Sequence, residues 1–404
     1  MRLKDVALIN QKSLSNNTQS NYVFKYIDIS SVDSDGRIVL GEDVEFGEAP
    51  SRARRIISKG DVLVSTVRTY LRAIASVDFD ATDIIASTGF AVCTPNYKVF
   101  SKYLMYALHS DTVMNEIIKA SMGVSYPAIS TEILSAINIP YVTNEQQSTV
   151  VCFLSKYIGK IDEQVKLLEK KVEAYKNLKR SFINETVTRG LDKNVKLKDS
   201  GVDWIGMVPE AWEVKRLESC IYEVVVKNNP VRTTNLLSLI KDVGVIPYSE
   251  KGLVGNKEKL DYSEYKVAYP NTIVTNSMNI LIGSVGLCNY EGCVSPVYYV
   301  FKTNALGNIK YINYLFSTRA FQRELRKYAN GILEIRLRVS ASDILKCEVP
   351  LPCIEEQQAI ANYLDDKCDK IDKAIELVEK QIDAYKRLKR SLINEVVTGK
   401  RRVA

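Results

Sequence analysis

A single histidine stands among 404 residues, and the eight cysteines include no CxxC pair. Zinc sites draw on Cys and His at short spacing, so no metal is expected. Scattered over so long a chain, the cysteines do not form a disulfide framework either. No apolar run approaches the roughly 18 residues of a membrane span. The opening MRLKDVALINQKS lacks the apolar core of a secretory signal, so the expected compartment is the cytoplasm. There is no GxxxxGK[ST] phosphate loop and no GxGxxG fingerprint. There is also no [DNS]PP[YFW] signature of the amino-methyltransferases; NNPV at Asn228 lacks the second proline and the aromatic. EVK at Glu213 has only Glu210 as an acidic neighbour, too close to complete a nuclease pair. His109 sits in an amphipathic stretch with no evident partner for acid–base work. Neither a catalytic residue nor a cofactor is expected.

What is present is ordinary in amount and unusual in arrangement. The apolar fraction is 46% and the charged fraction 25%, enough to bury two or three cores. The net charge of +7 is compatible with a polyanionic partner and proves none. The phrase YKNLKRSFINETVT at Tyr175 returns as YKRLKRSLINEVVT at Tyr385. Over Phe153 to Thr188, about half the positions match Tyr363 to Thr398 at an offset of 210. An EQQ triplet precedes each copy, at Glu145 and Glu356.

Each copy carries a heptad seam. Ile158, Ile161, Val165, Leu168, Val172 and Tyr175 step by three and four, as do Cys368, Ile371, Ile375, Val378, Ile382 and Tyr385. Such a seam cannot stay wet, so each helix needs a partner, and the other copy is the nearest. The expectation is an intramolecular antiparallel coiled coil of two long helices, over residues 145–190 and 354–404. The remaining blocks, 1–144 and 191–353, read as mixed α+β. GDVLVSTVR from Gly60 and NTIVTNSMNILIGSVG from Asn271 are strand-rich. SKYLMYALHSDTVMNEIIKA from Ser101 and IKYINYLFSTRAFQRELRKYA from Ile309 read as amphipathic helices. The blocks echo each other in YLMYAL against YINYLF and in INIPYV against CEVPLP. The chain is thus a tandem of block and helix with pseudo-twofold character.

This order, with EEQQAIANYLDDKCDKIDKAIELVEKQIDAYKRLKRSLINEVVTGK from Glu355 and KDSGVDWIGMVPEAWEVKRL from Lys198, resembles the specificity subunit of type I restriction-modification enzymes. KYIDISSVDSDGRI from Lys25 and GDVLVSTVRTYLRAIA from Gly60 are similar to family sequences too. The first block departs in one respect: no WIG…P…W opening precedes Lys25. The resemblance implies two target-recognition domains, each reading half of a split site in double-stranded DNA. It implies a helical spacer that docks two methyltransferase subunits, restriction subunits in the larger assembly, and no chemistry in this chain. Two rivals stay open on the residues alone: a fused restriction-methylation enzyme, and a coiled-coil scaffold without a DNA role.

Phosphates and base edges favour Arg, Lys, Asn and small hydroxyls. In the first block that selects Arg52, Arg54 and Arg55 as a loop cluster, Arg68 and Arg72 beside Tyr70, and Lys119, Ser121, Ser125 and Tyr126 around Gly123. In the second it selects Asn276, Asn279, Arg326, Lys327, Asn330, Arg336 and Arg338. Lys176, Lys179 and Arg180, with their counterparts Lys386, Lys389 and Arg390, read first as cations complementing a helix C-terminus. A contact to DNA or to a protein partner is the other reading.

Overall fold

The computed structural model describes the chain except residues 242, 253–260, 331–336 and 404. It divides into two compact units, residues 1–170 with 379–404, and residues 171–378. Eight α-helices are described: α1 (Ser101–His109), α2 (Asp111–Ala120), α3 (Thr131–Ala136), α4 (Asn144–Arg189), α5 (Ile309–Ser317), α6 (Arg319–Arg326), α7 (Ala341–Lys346) and α8 (Ile354–Val397). The two long helices are not units of their own, because each contributes one half to either unit. Among the described residues, no helix is long and apolar enough to cross a membrane.

The first unit holds two four-stranded sheets. One orders Ala7–Ile9, Phe90–Pro95, Val62–Ser65 and Ile74–Ser76, all antiparallel. The other orders Asp43–Glu45, Val23–Ile27, Ile84–Ser87 and Ala53–Ile56, with one parallel pairing between Val23–Ile27 and Ile84–Ser87. The central strand Val62–Ser65 is buried on both faces, which is why Val62, Leu63 and Val64 read as a continuous apolar run rather than an alternation. The second unit repeats the first of these sheets in the same order: Ile221–Glu223, Tyr298–Thr303, Thr272–Asn276 and Val285–Cys288. Two-stranded ribbons surround it.

Each amphipathic stretch after the sheet proves to be two helices, not one. Ser110 stands in extended conformation between α1 and α2, and its hydroxyl donates to Ala107 O at 2.7 Å. Thr318 does the same between α5 and α6, donating to Leu315 O at 2.9 Å and capping Phe321 N. A hydroxyl that satisfies a terminal carbonyl makes the break cheap without disturbing the apolar periodicity.

The EQQ triplets acquire a physical role. The amide of Gln147, fully buried, donates from Nε2 to Lys98 O and Val142 O and accepts from Phe100 N. Gln357, also fully buried, donates to Leu306 O and Pro352 O and accepts from Asn308 N. In each unit one carboxamide therefore ties the start of the long helix to the loop leading into the short helix pair. A buried amide so placed satisfies three backbone groups that would otherwise be stranded.

The long helices pair antiparallel within each unit. In the first, Arg401 lies over the Phe153 ring at 5.6 Å while Lys389 reaches Asp162 at 2.9 Å. In the second, Lys179 reaches Asp372 at 2.6 Å, and Ile183 and Val187 share a core with Ile360, Leu364 and Cys368. These two ion pairs are the same pair of the repeat, seen once in each unit. Ile161, Val165, Val172, Ile371, Ile375, Val378 and Ile382 are buried, and Leu168, Tyr175 and Tyr385 half-buried. The repeated lysines thus serve an ion pair between helices. They lie more than two turns from their helix ends, beyond the reach of the terminal dipole.

Lys389 does more than its counterpart. It also reaches Asp35 at 3.0 Å, joining the first block to both long helices, and its residue exposure is only 7%. The turn that carries Asp35 needs Gly36: its φ is +80°, and a Cβ there would lie 2.8 Å from Ile74 O. Removing the lysine leaves two partly buried carboxylates facing each other. Lys389→Met is expected to cost about 2 kcal/mol, discounted because both aspartates keep some solvent. Lys179→Met, whose pair is more exposed, should cost at most about 1 kcal/mol. Urea unfolding followed by circular dichroism measures both, and equal losses would remove the distinction.

Candidate nucleic-acid interface

In the first unit two of the sequence-selected clusters come together. The strand Val62–Ser65 ends in a short 3-10 turn, Thr69–Leu71, flanked by Arg68 and Arg72, both with left-handed backbone (φ +52° and +55°). The loop after α2 folds back on itself through a bridge between Met122 and Ala128. Gly123, at φ +107°, supplies the turn there. The two segments join by a second bridge, Val67 to Ala128, by Arg68 N donating to Pro127 O at 2.7 Å, and by Ile129 N donating to Thr66 O at 2.9 Å. Side chains complete the joint. Ser121 donates to Ile117 O, so Thr69 donates to Ser121 Oγ at 2.8 Å. The Arg68 guanidinium lies over the Tyr126 ring, 4.6 Å from its centroid.

The result is a rigid edge with an exposed tip. Met122, Val124, Tyr126, Tyr70 and Leu71 are large apolar or aromatic side chains left in solvent, and Val124 is fully exposed. Apolar side chains grouped in this way on a surface are a feature of interaction sites. Ser125 and Lys119 are exposed beside it. Arg72 turns away: it pairs with Asp111 at 2.6 Å and is mostly buried.

The other arginine cluster is not a loop. Arg54 and Arg55 lie on the strand Ala53–Ile56, with a bulge between Ala53 and Arg55, and only Arg52 is in the preceding turn and exposed. Arg54 stacks on Phe46 at 4.6 Å and donates to Ala53 O. Arg55 is half-buried, its Nε lacks a hydrogen-bond partner, and burial lowers its pKa from the usual guanidinium value. Of the three guanidinium residues, only Arg52 is therefore exposed.

Among the described residues the second unit repeats part of this joint. The strand Thr272–Asn276 leads into the 3-10 turn Ile280–Ile282, preceded by exposed Asn279 and closed by Gly283 in the left-handed region where the first unit has Arg72. A bridge between Asn330 and Arg338 closes the loop after α6, and Val339 N donates to Ser277 O at 3.2 Å. Asn276 is buried, and its side-chain oxygen accepts from Met278 N at 3.0 Å, so that edge of its amide serves the turn. Lys327 pairs with Glu324 at 2.6 Å. Arg326 closes α6, and Arg336 lies outside the described residues. Ile282 is an exposed apolar residue on this turn.

His109 is not placed for chemistry. Its Nε2–H donates to Ile74 O at 2.8 Å, and burial lowers its pKa to about 4, so the ring is neutral and spent on a core hydrogen bond. Sequence reasoning missed Met122, Val124 and Ile282, because an apolar residue in a chain looks like core until its surroundings are known. It also missed Gln147 and Gln357, although the repeated EQQ was the signal.

Two units that share a sheet order, a helix pair and a turn braced by a bridged loop define a duplicated recognition protein. A profile of the type I restriction modification DNA specificity domain matches residues 1–173 and again 209–384. The chain belongs to this family: it is a specificity subunit of a type I restriction-modification system, with two tandem target-recognition domains. It is 23% identical over 340 residues to the type I restriction enzyme MjaVIII specificity subunit of Methanocaldococcus jannaschii, covering 79% of this chain and 75% of that one. It is 25% identical over 363 residues to the putative MjaX specificity subunit of the same organism, covering 85% and 79%. A solved chain from work on complex assembly and conformational transition of the type I R-M system shares the fold, with a TM-score of 0.70 at 22% identity over 99% of this chain and 97% of that one.

Proposed function

We propose that each unit reads one half of a bipartite site in double-stranded DNA, with the 3-10 turn and bridged loop as its reading edge. The single observation that carries this is the joint itself, Arg68 over Tyr126 on a loop bolted to the strand end. A preorganised guanidinium loses little freedom on meeting a base edge, and Arg is the commonest reader of guanine. In the second unit Asn279 precedes the 3-10 turn as Arg68 does, and the bridged pair Asn330 and Arg338 stands where the first unit has Met122 and Ala128. Phosphate contacts come from Arg52, Lys119 and Ser125, which are exposed beside folded elements.

The paired long helices act as an intramolecular coiled coil that sets the spacing of the half-sites and docks methyltransferase subunits. Two copies of that partner fit the repeat. Leu167 and Leu388 are exposed in the first unit, and their repeat equivalents Leu377 and Leu178 are exposed in the second. A partner that covers one pair finds the same pair again. Restriction subunits join this assembly, and the chain itself does no chemistry. The neutral, internally bonded His109 supports that last reading.

The test replaces Arg68 and Tyr126 singly by Ala in the full chain bound to its methyltransferase. The target is first mapped from the methylated sites of cells expressing the complex. Each variant should lose about 1–3 kcal/mol on the cognate duplex, roughly 5- to 150-fold, with less than twofold loss on random duplex. Equal losses on both duplexes would make this edge a phosphate contact and not a reader.

A further inference from the structure

Within the first unit a cleft of about 660 Å³ opens between the block and the helix pair. The turn Tyr70–Arg72 forms one wall, the hairpin around Gly36 another, and α8 the floor with Lys386, Lys389 and Arg390. Six cations line it, Arg37, Arg72, Lys102, Lys386, Lys389 and Arg390, against three carboxylates, Asp35, Asp78 and Asp162. The neutral His109 adds no charge.

The cations divide by commitment. Lys389 is held by Asp35 and Asp162, Arg72 by Asp111, and Lys102 faces Asp78 at 4.0 Å. Arg37 lies 3.7 Å from Asp162, a carboxylate already shared with Lys389. Lys386 and Arg390 make no ion pair among the described residues. The repeat supplies an internal comparison. Arg180, the counterpart of Arg390, is held by Asn177 at 3.1 Å and faces Glu173 at 3.6 Å. At the position of Glu173 the second copy has the shorter Asp383. Arg180 is therefore paired in one copy, whereas its counterpart Arg390 makes no ion pair in the other, where it lines a cleft.

We propose that this cleft seats backbone phosphates of duplex DNA flanking the half-site read by the first unit, through Lys386, Arg390 and Arg37. The proposal rests on the DNA-reading role given to that unit. The wall Tyr70–Arg72 is the far end of the turn that begins at Arg68, so a duplex on the reading edge presents its backbone to the cleft mouth. Phosphate seats fix register and carry no sequence information, and a net excess of cations beside a braced reader suits that task.

The triple variant Lys386→Gln, Arg390→Gln, Arg37→Gln tests it in the full chain bound to its methyltransferase. Cognate and random duplexes of equal length are titrated at several salt concentrations. The slope of log affinity against log salt should fall by up to about 2.7, at roughly 0.9 per phosphate, on both duplexes. The ratio of cognate to random affinity should not change. A control variant, Lys166→Gln with Lys170→Gln, removes exposed charge from α4 and should keep the wild-type slope. An unchanged slope in the triple variant, or the same fall in the control, overturns the cleft. Loss of co-elution with the methyltransferase at an unchanged slope also overturns it, in favour of a protein-docking surface. A wild-type complex with no preference for any duplex would overturn the reading of DNA by this unit, and the cleft with it.

Discussion

Exchanging residues 1–144 for the first block of another specificity subunit should convert one half of the recognised sequence and leave the other half unchanged. Each unit owns its core. In the first, Ile27, Leu63, Ala86, Phe90 and Val92 pack together; in the second, Trp212, Ile273, Phe301, Phe316 and Phe321 do. Among the described residues each also has its own 3-10 turn and bridged loop segment, so each block is expected to shape its own edge. The exchange must respect two joints. The incoming block needs backbone carbonyls where Lys98 O and Val142 O meet Gln147, and a carboxylate where Asp35 meets Lys389. A chimera lacking that carboxylate should be less stable but still read its new half-site. Mapping methylated sites in cells that express the chimera gives the answer directly. A chimera that changed both halves would show that the two readers are not separate.

Deleting one matched heptad from each long helix should abolish binding to the original site without unfolding the protein. Residues 165–171 and 375–381 are such a pair. Seven residues preserve the seam, and the ion pairs Lys179–Asp372 and Lys389–Asp162 lie outside the deleted segments. Each helix shortens by roughly 10 Å at 1.5 Å per residue. That is about three base pairs at ~3.4 Å each. The helix reorients only ~20° per heptad, whereas three base pairs turn by about 100° at 10–10.5 per turn. Distance and phase of the half-sites then disagree with the protein together. Affinity for the original duplex should fall toward the nonspecific level, a loss on the order of 10³-fold or more. Circular dichroism checks that helix content is retained apart from the deleted residues. Full affinity in a folded deletion variant would end the idea that the helices measure the site.

Much of this was legible because it is periodic. The offset of 210 between the two helical phrases and the three-four steps of Ile161, Val165, Leu168 and Val172 depend only on local helix geometry, which a sequence carries explicitly. The break at Ser110 was legible in principle, since a hydroxyl residue followed by Asp111 is a helix start, but the apolar period ran through it and hid it. The arginines at 52, 54 and 55 misled for the opposite reason. Composition says that guanidiniums are present but not that the fold stacks Arg54 on Phe46 and half-buries Arg55.

By itself, then, the sequence determined the duplication, the two long helices, the mixed character of the blocks and the absence of known catalytic signatures. Each of these is a property of local pattern or of residue identity. Only the tertiary structure decided which polar groups are free. Lys179 and Lys389 are the same letter in the same phrase, yet one holds a single exposed aspartate and the other is buried against two. Asn276 and Asn279 are three residues apart, yet one serves its own backbone and the other faces solvent. The physical reason is that a side chain's availability is set by long-range contacts. These depend on which distant backbone and which distant charge the fold brings within about 3 Å.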